Sequence, residues 1–404
     1  MLPSRIPQPW PFRLLSSAGG LLESAGLYRV RFEETAVFDA ASRMSGLNDF
    51  GNEHFREGLR KLLEAEDMAP MHPAGRIALF RFTVFNLANR LRFVDAQKRR
   101  PELFEEALQP PLIVTGLPRS GTTFLHRLLA LDPSHRAIPR CQMLPILIPH
   151  EARLSRWQRL ITNHQFRFYQ GFMSDIDRKH YTRADSPEEC IWMLGLTFES
   201  TVYWVLAPLY EYLEWYSDRD RFPKYREYRL MLQLLQSANP RRRLVLKAPE
   251  HMDALDALLC AVPNGRIVQT HRNPVVVCSS LNSLLYTTHG AGAPEMEVPR
   301  MSESNVRMLE TAISRNMAAR ETHPNRICDI RYDRLLSDPI GTIRDIYHHF
   351  EMYFSEEYLD LLRAYAASHP KDEHGRHRYS AEDFGQSAAE LARRFAAYRE
   401  RFEV

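Results

Sequence analysis

Apolar residues recur three and four positions apart in Asn52–Glu66, as Phe55, Leu59, Leu62 and Leu63 do, and again in Pro73–Phe93. That spacing puts them on one face of a helix, so residues 1–108 are predicted to be helical. After Pro110-Pro111 the pattern changes. Leu112-Ile113-Val114 is a short buried-strand signal, Gly116–Thr123 a glycine-bounded turn, and Thr122–Leu131 a helix with Leu125, Leu128 and Leu129 on one face. The rhythm returns with a strand at Leu244–Leu246, a helix at Asp253–Ala261, a strand at Arg266–Thr270, a helix at Val275–Leu285 and a last strand at Ile327–Arg331. Strands alternating with helices imply an α/β fold, a parallel sheet covered on both faces. Residues 150–240 read as a helical, aromatic-rich insertion, and Gly290–Pro299 as the strongest loop candidate. The division that follows is a helical cap over 1–108, packed on a core domain over 109–404.

Composition narrows the class. A hydrophobic fraction of 44% and a charged fraction of 25% suit a globular chain with a large core. A net charge of +3 gives no general affinity for nucleic acid or for a membrane surface. Only six basic residues are lysines, so a lysine at the end of an apolar strand stands out. The five cysteines form no C-x-x-C pair and are expected to be reduced thiols in a reducing compartment, the cytoplasm. The first residues show no cleavable leader pattern. No apolar run is long enough to span a membrane, since Glu199 interrupts Cys190–Trp204.

The chemistry begins at Gly116-Leu-Pro-Arg-Ser-Gly121-Thr122-Thr123. Two glycines separated by four residues, after a strand and before a helix, have the geometry that aims backbone N–H groups at a phosphate. A plain strand-to-helix turn would not also need Arg119 and two hydroxyls. Thr122 stands where a nucleoside triphosphatase carries its phosphate-binding lysine, which argues against ATP chemistry. A second candidate site is Arg272, just past the strand Arg266–Thr270 at the ligand edge of a parallel sheet, with Ser280 in the following helix. Pro274 suits the first turn of that helix.

These two segments resemble the donor-binding motifs of sulfotransferases that use 3′-phosphoadenosine 5′-phosphosulfate (PAPS). PRSGTT followed by FLHRLLALDP is similar to their 5′-phosphosulfate loop. The resemblance implies that Arg119, Ser120, Gly121, Thr122 and Thr123 cradle the 5′-phosphosulfate. Arg119 stands where cytosolic members carry a lysine and tyrosylprotein members an arginine. The strand ending in Arg272-Asn-Pro, with Ser280 eight residues after the arginine, is similar to their 3′-phosphate motif. The resemblance covers most of 112–400 and points to the bacterial branch, as does Gly46-Leu-Asn-Asp-Phe50. It implies a P-loop-type three-layer α/β sandwich with a central parallel sheet, PAPS as co-substrate, no metal, and sulfuryl transfer to a hydroxyl of a small apolar acceptor.

Sulfuryl transfer needs charge stabilisation on the leaving phosphate and a base for the acceptor proton. By the resemblance, Lys247 at the end of its strand contacts the donor's bridging oxygen, with Arg119 beside it. The base is open. Cytosolic members carry a histidine two residues after the lysine, where this chain has Pro249, so His251 is the first candidate. Asp185, Glu188 and Glu189, in Arg183-Ala-Asp-Ser-Pro-Glu-Glu189, follow. The same stretch also reads as a helix start with Ser186 as N-cap and Pro187 at the first helical position. Gln142 lies where the branch often has a glutamate, and it cannot serve as a base. The aromatic residues of Ile191–Phe198, Val202–Val205 and Tyr210–Tyr216 are either an acceptor pocket or a second core. Lys371–Ser380 resembles a basic segment that closes over the nucleotide, or is a solvated turn. Two rival functions remain on the sequence alone: a P-loop small-molecule kinase and a non-catalytic nucleotide-binding protein of the same fold.

Overall fold

The structure, a computed structural model, describes residues 14, 17–21, 25, 30–105, 107–143, 185–293, 295–323, 326–368 and 380–404. Five strands form one sheet: β1 Leu112–Gly116, β2 His135–Ala137, β3 Arg243–Lys247, β4 Arg266–His271 and β5 Ile327–Arg331. Their order is β2-β3-β1-β4-β5, and every pairing is parallel. β1 is central and wholly buried, as its apolar run requires. Successive side chains leave a strand on opposite faces. Ile113, Leu244, Leu246 and Ile267 therefore pack with Tyr225, Tyr228 and Leu232 on one side. Leu112, Val114, Val245 and Val268 pack with Leu125, Leu128, Leu129 and Ile343 on the other. Helices thus cover both faces, giving the three-layer sandwich. The chain leaves β1 toward the β2 edge and later crosses to β4, so the crevice at the carboxyl ends of β3, β1 and β4 lies at a reversal of strand order. That is where open α/β sheets bind ligands.

A third buried cluster lies away from the sheet. It joins Phe55, Leu59, Leu63 and Leu87 to Phe198, Trp204 and Tyr212, and to Val277, Leu281 and Leu309. Helix His54–Met68 fits closely there, because a Cβ on Gly58 would stand 2.6 Å from the Phe198 carbonyl oxygen. Arg90, on the long helix Pro73–Arg99, meets Glu227 at 2.7 Å, with side chains 1% and 11% exposed. It also donates to the Phe50 carbonyl at 2.9 Å, and Asn52 donates to Glu227 at 2.7 Å.

Several boundaries differ from the sequence expectation. The loop helix is Thr122–Leu129. Asp253 and Ala254 belong to a 3-10 turn, Pro249–Ala254, and the α-helix proper is Leu255–Ala261. Helix Pro274–Gly292 takes in the first three residues of the predicted Gly290–Pro299 loop, and the next helix begins at Val298. Its glycine there serves a close helix crossing: a Cβ on Gly75 would meet the Gly292 carbonyl oxygen at 2.7 Å. His72 fastens the crossing. Its Nδ1 accepts from Gly75 N at 2.9 Å, so its Nε2 carries the proton donated to the Ala291 carbonyl at 3.0 Å.

Candidate active site

The loop after β1 curls through three residues at positive φ: Gly116 at 137°, Arg119 at 65° and Gly121 at 91°. Gly116 has no alternative, since a Cβ would stand 2.4 Å from the Thr270 carbonyl oxygen on β4. At Gly121 a Cβ would meet the Tyr332 ring at 2.9 Å. Ser120 is brought to the loop but turned inward. It is fully buried, and its hydroxyl bonds the Leu117 carbonyl at 2.5 Å and the Thr270 hydroxyl at 2.6 Å. It ties the loop to β4 rather than facing the crevice.

The second segment arrives beside the first. Asn273 caps helix Pro274–Gly292 by accepting from Val275 N at 3.0 Å, and Pro274 opens it. Arg272 donates to the Arg119 carbonyl at 2.6 Å and lies 4.1 Å from the Tyr332 ring centre. Arg119 in turn donates from Nε to the Ser280 hydroxyl at 3.1 Å. Residues more than 150 positions apart thus gather at one sheet edge. Burial, and then the charge of Arg272, push the Arg119 guanidinium below its ordinary pKa. An anion between the two arginines would relieve both effects.

Lys247 ends β3 with its ammonium against the Glu189 carboxylate and 3.2 Å from the Thr123 hydroxyl. Glu189 is placed by backbone pairing, not by a helix start at Ser186. Pro139 and Pro187 form an antiparallel bridge, Arg140 N donates to Ser186 O at 3.1 Å, and Glu188 N donates to Ile138 O at 3.0 Å. Cys190 N then donates to Lys247 O at 2.8 Å. The helix itself begins at Ile191. Of the three acids, Asp185 is exposed, and Glu188 is buried in an ion pair with Arg140 at 3.0 Å. Only Glu189, with 15% of its side chain exposed, reaches Lys247.

The structure does not bring His251 to this centre. Pro249 opens a 3-10 turn that sends the imidazole into the core under helix Phe222–Ser237. There Nδ1 bonds Tyr225 OH at 2.7 Å, and Nε2 lies 3.3 Å from Tyr228 OH. Burial, and then the charge of Lys224, push its pKa down to about 3. It has no exposed surface and both ring nitrogens are engaged. His251→Ala should therefore destabilise the fold by roughly 1–3 kcal/mol, as expected when buried hydroxyls lose a partner. The folded fraction should keep its kcat, checked by urea unfolding beside turnover. The neighbouring Glu250 turns elsewhere, accepting from Lys224 at 2.6 Å, Tyr216 at 2.9 Å and Ser200 at 2.8 Å.

The aromatic stretch is mostly core: Phe198, Tyr203, Trp204, Tyr212 and Tyr216 are no more than 1% exposed. The insertion residues 150–184 and the basic segment 371–378 lie outside the described residues. Gln142 accepts from Arg136 at 3.2 Å. Two contributors escaped the sequence reading, Thr270 and Tyr332. Tyr332 immediately follows β5, and that position at the ligand edge of the sheet was the signal available for it.

This is an α/β protein of the P-loop-type fold whose loop after β1 carries an arginine and hydroxyls in place of an ATPase lysine. The profile of the sulfotransferase family matches residues 110–356, and the chain belongs to that family. It is similar to the sulfotransferase STF1 from Mycobacterium tuberculosis H37Rv, with 29% identity, a TM-score of 0.78, and coverage of 90% of this chain and 98% of that one. It also resembles STF9 from Mycobacterium avium, with 25% identity, a TM-score of 0.85, and coverage of 93% and 98%. Over 274 residues it is 28% identical to omega-hydroxy-beta-dihydromenaquinone-9 sulfotransferase Stf3 of Mycobacterium bovis, covering 64% of this chain and 67% of that protein. The Stf3 of Mycobacterium tuberculosis matches equally. Among the described residues, no helix is long and apolar enough to cross a membrane.

Proposed function

We propose that the protein moves a sulfuryl group from PAPS to a hydroxyl of an apolar small molecule. The observation that carries the donor assignment is the convergence of Arg119, Arg272 and Ser280 beside the β1 loop. It offers charge-assisted hydrogen bonds to a second phosphate, the 3′-phosphate that separates PAPS from ADP or ATP. Gly121, Thr122 and Thr123 open the loop helix and would hold the 5′-phosphosulfate there. Ser120 would shape that cradle from behind.

In this reading the acceptor oxygen attacks sulfur in line with the bond to the bridging oxygen. A new S–O bond forms while the bond to the bridging oxygen breaks. Its electron pair stays on the departing 3′-phosphoadenosine 5′-phosphate (PAP). Lys247, held against Thr123, faces the developing charge, and Arg119 adds to it. Glu189, in contact with Lys247, takes the acceptor proton. Glu189 thus replaces His251 as the base. The acceptor class draws on relatives named for a hydroxylated dihydromenaquinone and on the half-buried Trp192 one turn from Glu189. Cys190, Cys260, Cys278 and Cys328 are thiols rather than disulfides, which supports a reducing compartment, the cytoplasm.

PAP should raise the melting temperature and ADP at the same concentration should do so much less. Arg272→Ala should weaken PAP binding by roughly 1.5–3 kcal/mol, the range for hydrogen bonds to a charged group. Equal stabilisation by ADP and PAP would end the donor assignment.

A further inference from the structure

Trp192 lies three residues past Glu189, and its N–H is 3.4 Å from the Glu189 carbonyl. Glu188, which pairs with the Arg140 guanidinium lying over the indole, also accepts from Glu189 N at 3.0 Å, so the indole is tied to the segment whose carboxylate meets Lys247. Its position is held from two sides. The Arg140 guanidinium lies 4.8 Å from its ring centre, fixed in turn by Glu188. The Phe82 ring meets it edge-on, at 6.1 Å between centroids and 83° between planes. Phe82 belongs to the long helix Pro73–Arg99, far away in sequence, and its ring also meets the fully buried Tyr203 at 5.8 Å. Trp192 and Phe82 are both only half-buried, unlike the aromatic residues behind them. Large apolar rings left partly open beside a reactive centre suit a surface that an apolar ligand covers.

We propose that Trp192 and Phe82 form a two-ring wall that sets acceptor specificity, with the N-terminal helical region supplying the distal ring. The inference rests on the sulfotransferase reading and deepens it. Trp192 covers the carbons next to the reacting hydroxyl. Phe82 is reached only by acceptors whose apolar chain extends about one ring separation further. The wall therefore discriminates by chain length, and the substrates it fits are long apolar alcohols rather than short or charged ones.

The probes are 1-butanol and 1-decanol: their binding to the full chain saturated with PAP is followed by tryptophan fluorescence, and kcat/KM is measured separately with PAPS as donor. Wild type should bind 1-decanol more tightly. In Phe82→Ala the decanol-to-butanol ratio should fall about tenfold or more, the scale on which apolar pockets discriminate. Phe82→Leu should recover most of the ratio, and Trp192→Phe should remove most of the fluorescence change. A purely structural role for Phe82 would lower both alcohols together and leave the ratio unchanged, which would overturn the proposal. So would the absence of decanol binding to wild type. If PAP fails to stabilise the same sample while the chain-length preference persists, the donor assignment falls and the wall stands.

Discussion

Replacing Glu189 by glutamine should lower kcat by about 10²–10⁴, the usual contribution of a general base. The substitution keeps the size of the side chain and removes its capacity to take a proton. PAP affinity should change little, because the nucleotide is assigned to the loop and to Arg272 and Ser280, not to this carboxylate. Steady-state turnover with PAP binding measured in parallel checks both halves. Retention of most of the wild-type kcat would return the base to open status and point to a group outside the Lys247 contact. The contrast with His251 is informative, since that histidine is enclosed by Tyr225 and Tyr228.

Glu227→Ala should cost roughly 3–5 kcal/mol, because it leaves the Arg90 guanidinium buried without its counter-charge. Arg90 is held over the Phe55 ring at 4.1 Å and bonds the Phe50 carbonyl, so it has little freedom to swing into water. Burial works against the Glu227 charge, but the hydrogen bonds and charge of Arg90, with the bond from Asn52, outweigh it and hold the carboxyl below its ordinary pKa. A depressed carboxylate contributes stability above its unfolded-state pKa of about 4.3, and that stability is lost as pH falls through the folded value. Glu227→Gln should therefore flatten the acid limb of the stability profile below about pH 4.3. Urea midpoints measured across that range test this. A loss under about 1 kcal/mol for Glu227→Ala would mean the pair behaves as a surface ion pair.

Much of the sheet was legible because its information is local. Leu112-Ile113-Val114 can hardly be anything but a buried strand, and the glycines at 116 and 121 are positions where a side chain would collide with Thr270 or Tyr332. That Arg272 lies at the same sheet edge as the loop was legible from its place at a strand end and from the resemblance to a 3′-phosphate motif. β2 was not: His135–Ala137 is three residues long, mostly polar, and lies at the sheet edge, so no periodicity marks it. Gly292 read as part of a loop because a glycine for a close helix crossing and a glycine for a turn look alike in one dimension. The direction of His251 was misread for a similar reason. Which way His251 faces depends on how the Pro249 turn winds. The choice of Glu189 over Glu188 depends on backbone pairing with Ile138 and Arg140, a contact between distant segments that no local pattern contains.

The most direct measurement follows the sulfur. The protein is incubated with PAPS labelled in its sulfur and a panel of straight-chain and isoprenoid alcohols, and the label is traced by chromatography. The proposed reaction predicts a labelled alkyl sulfate with an equal amount of PAP, and its loss in Glu189→Gln. Label that stays in PAPS with every alcohol, or that appears only as inorganic sulfate, would contradict it.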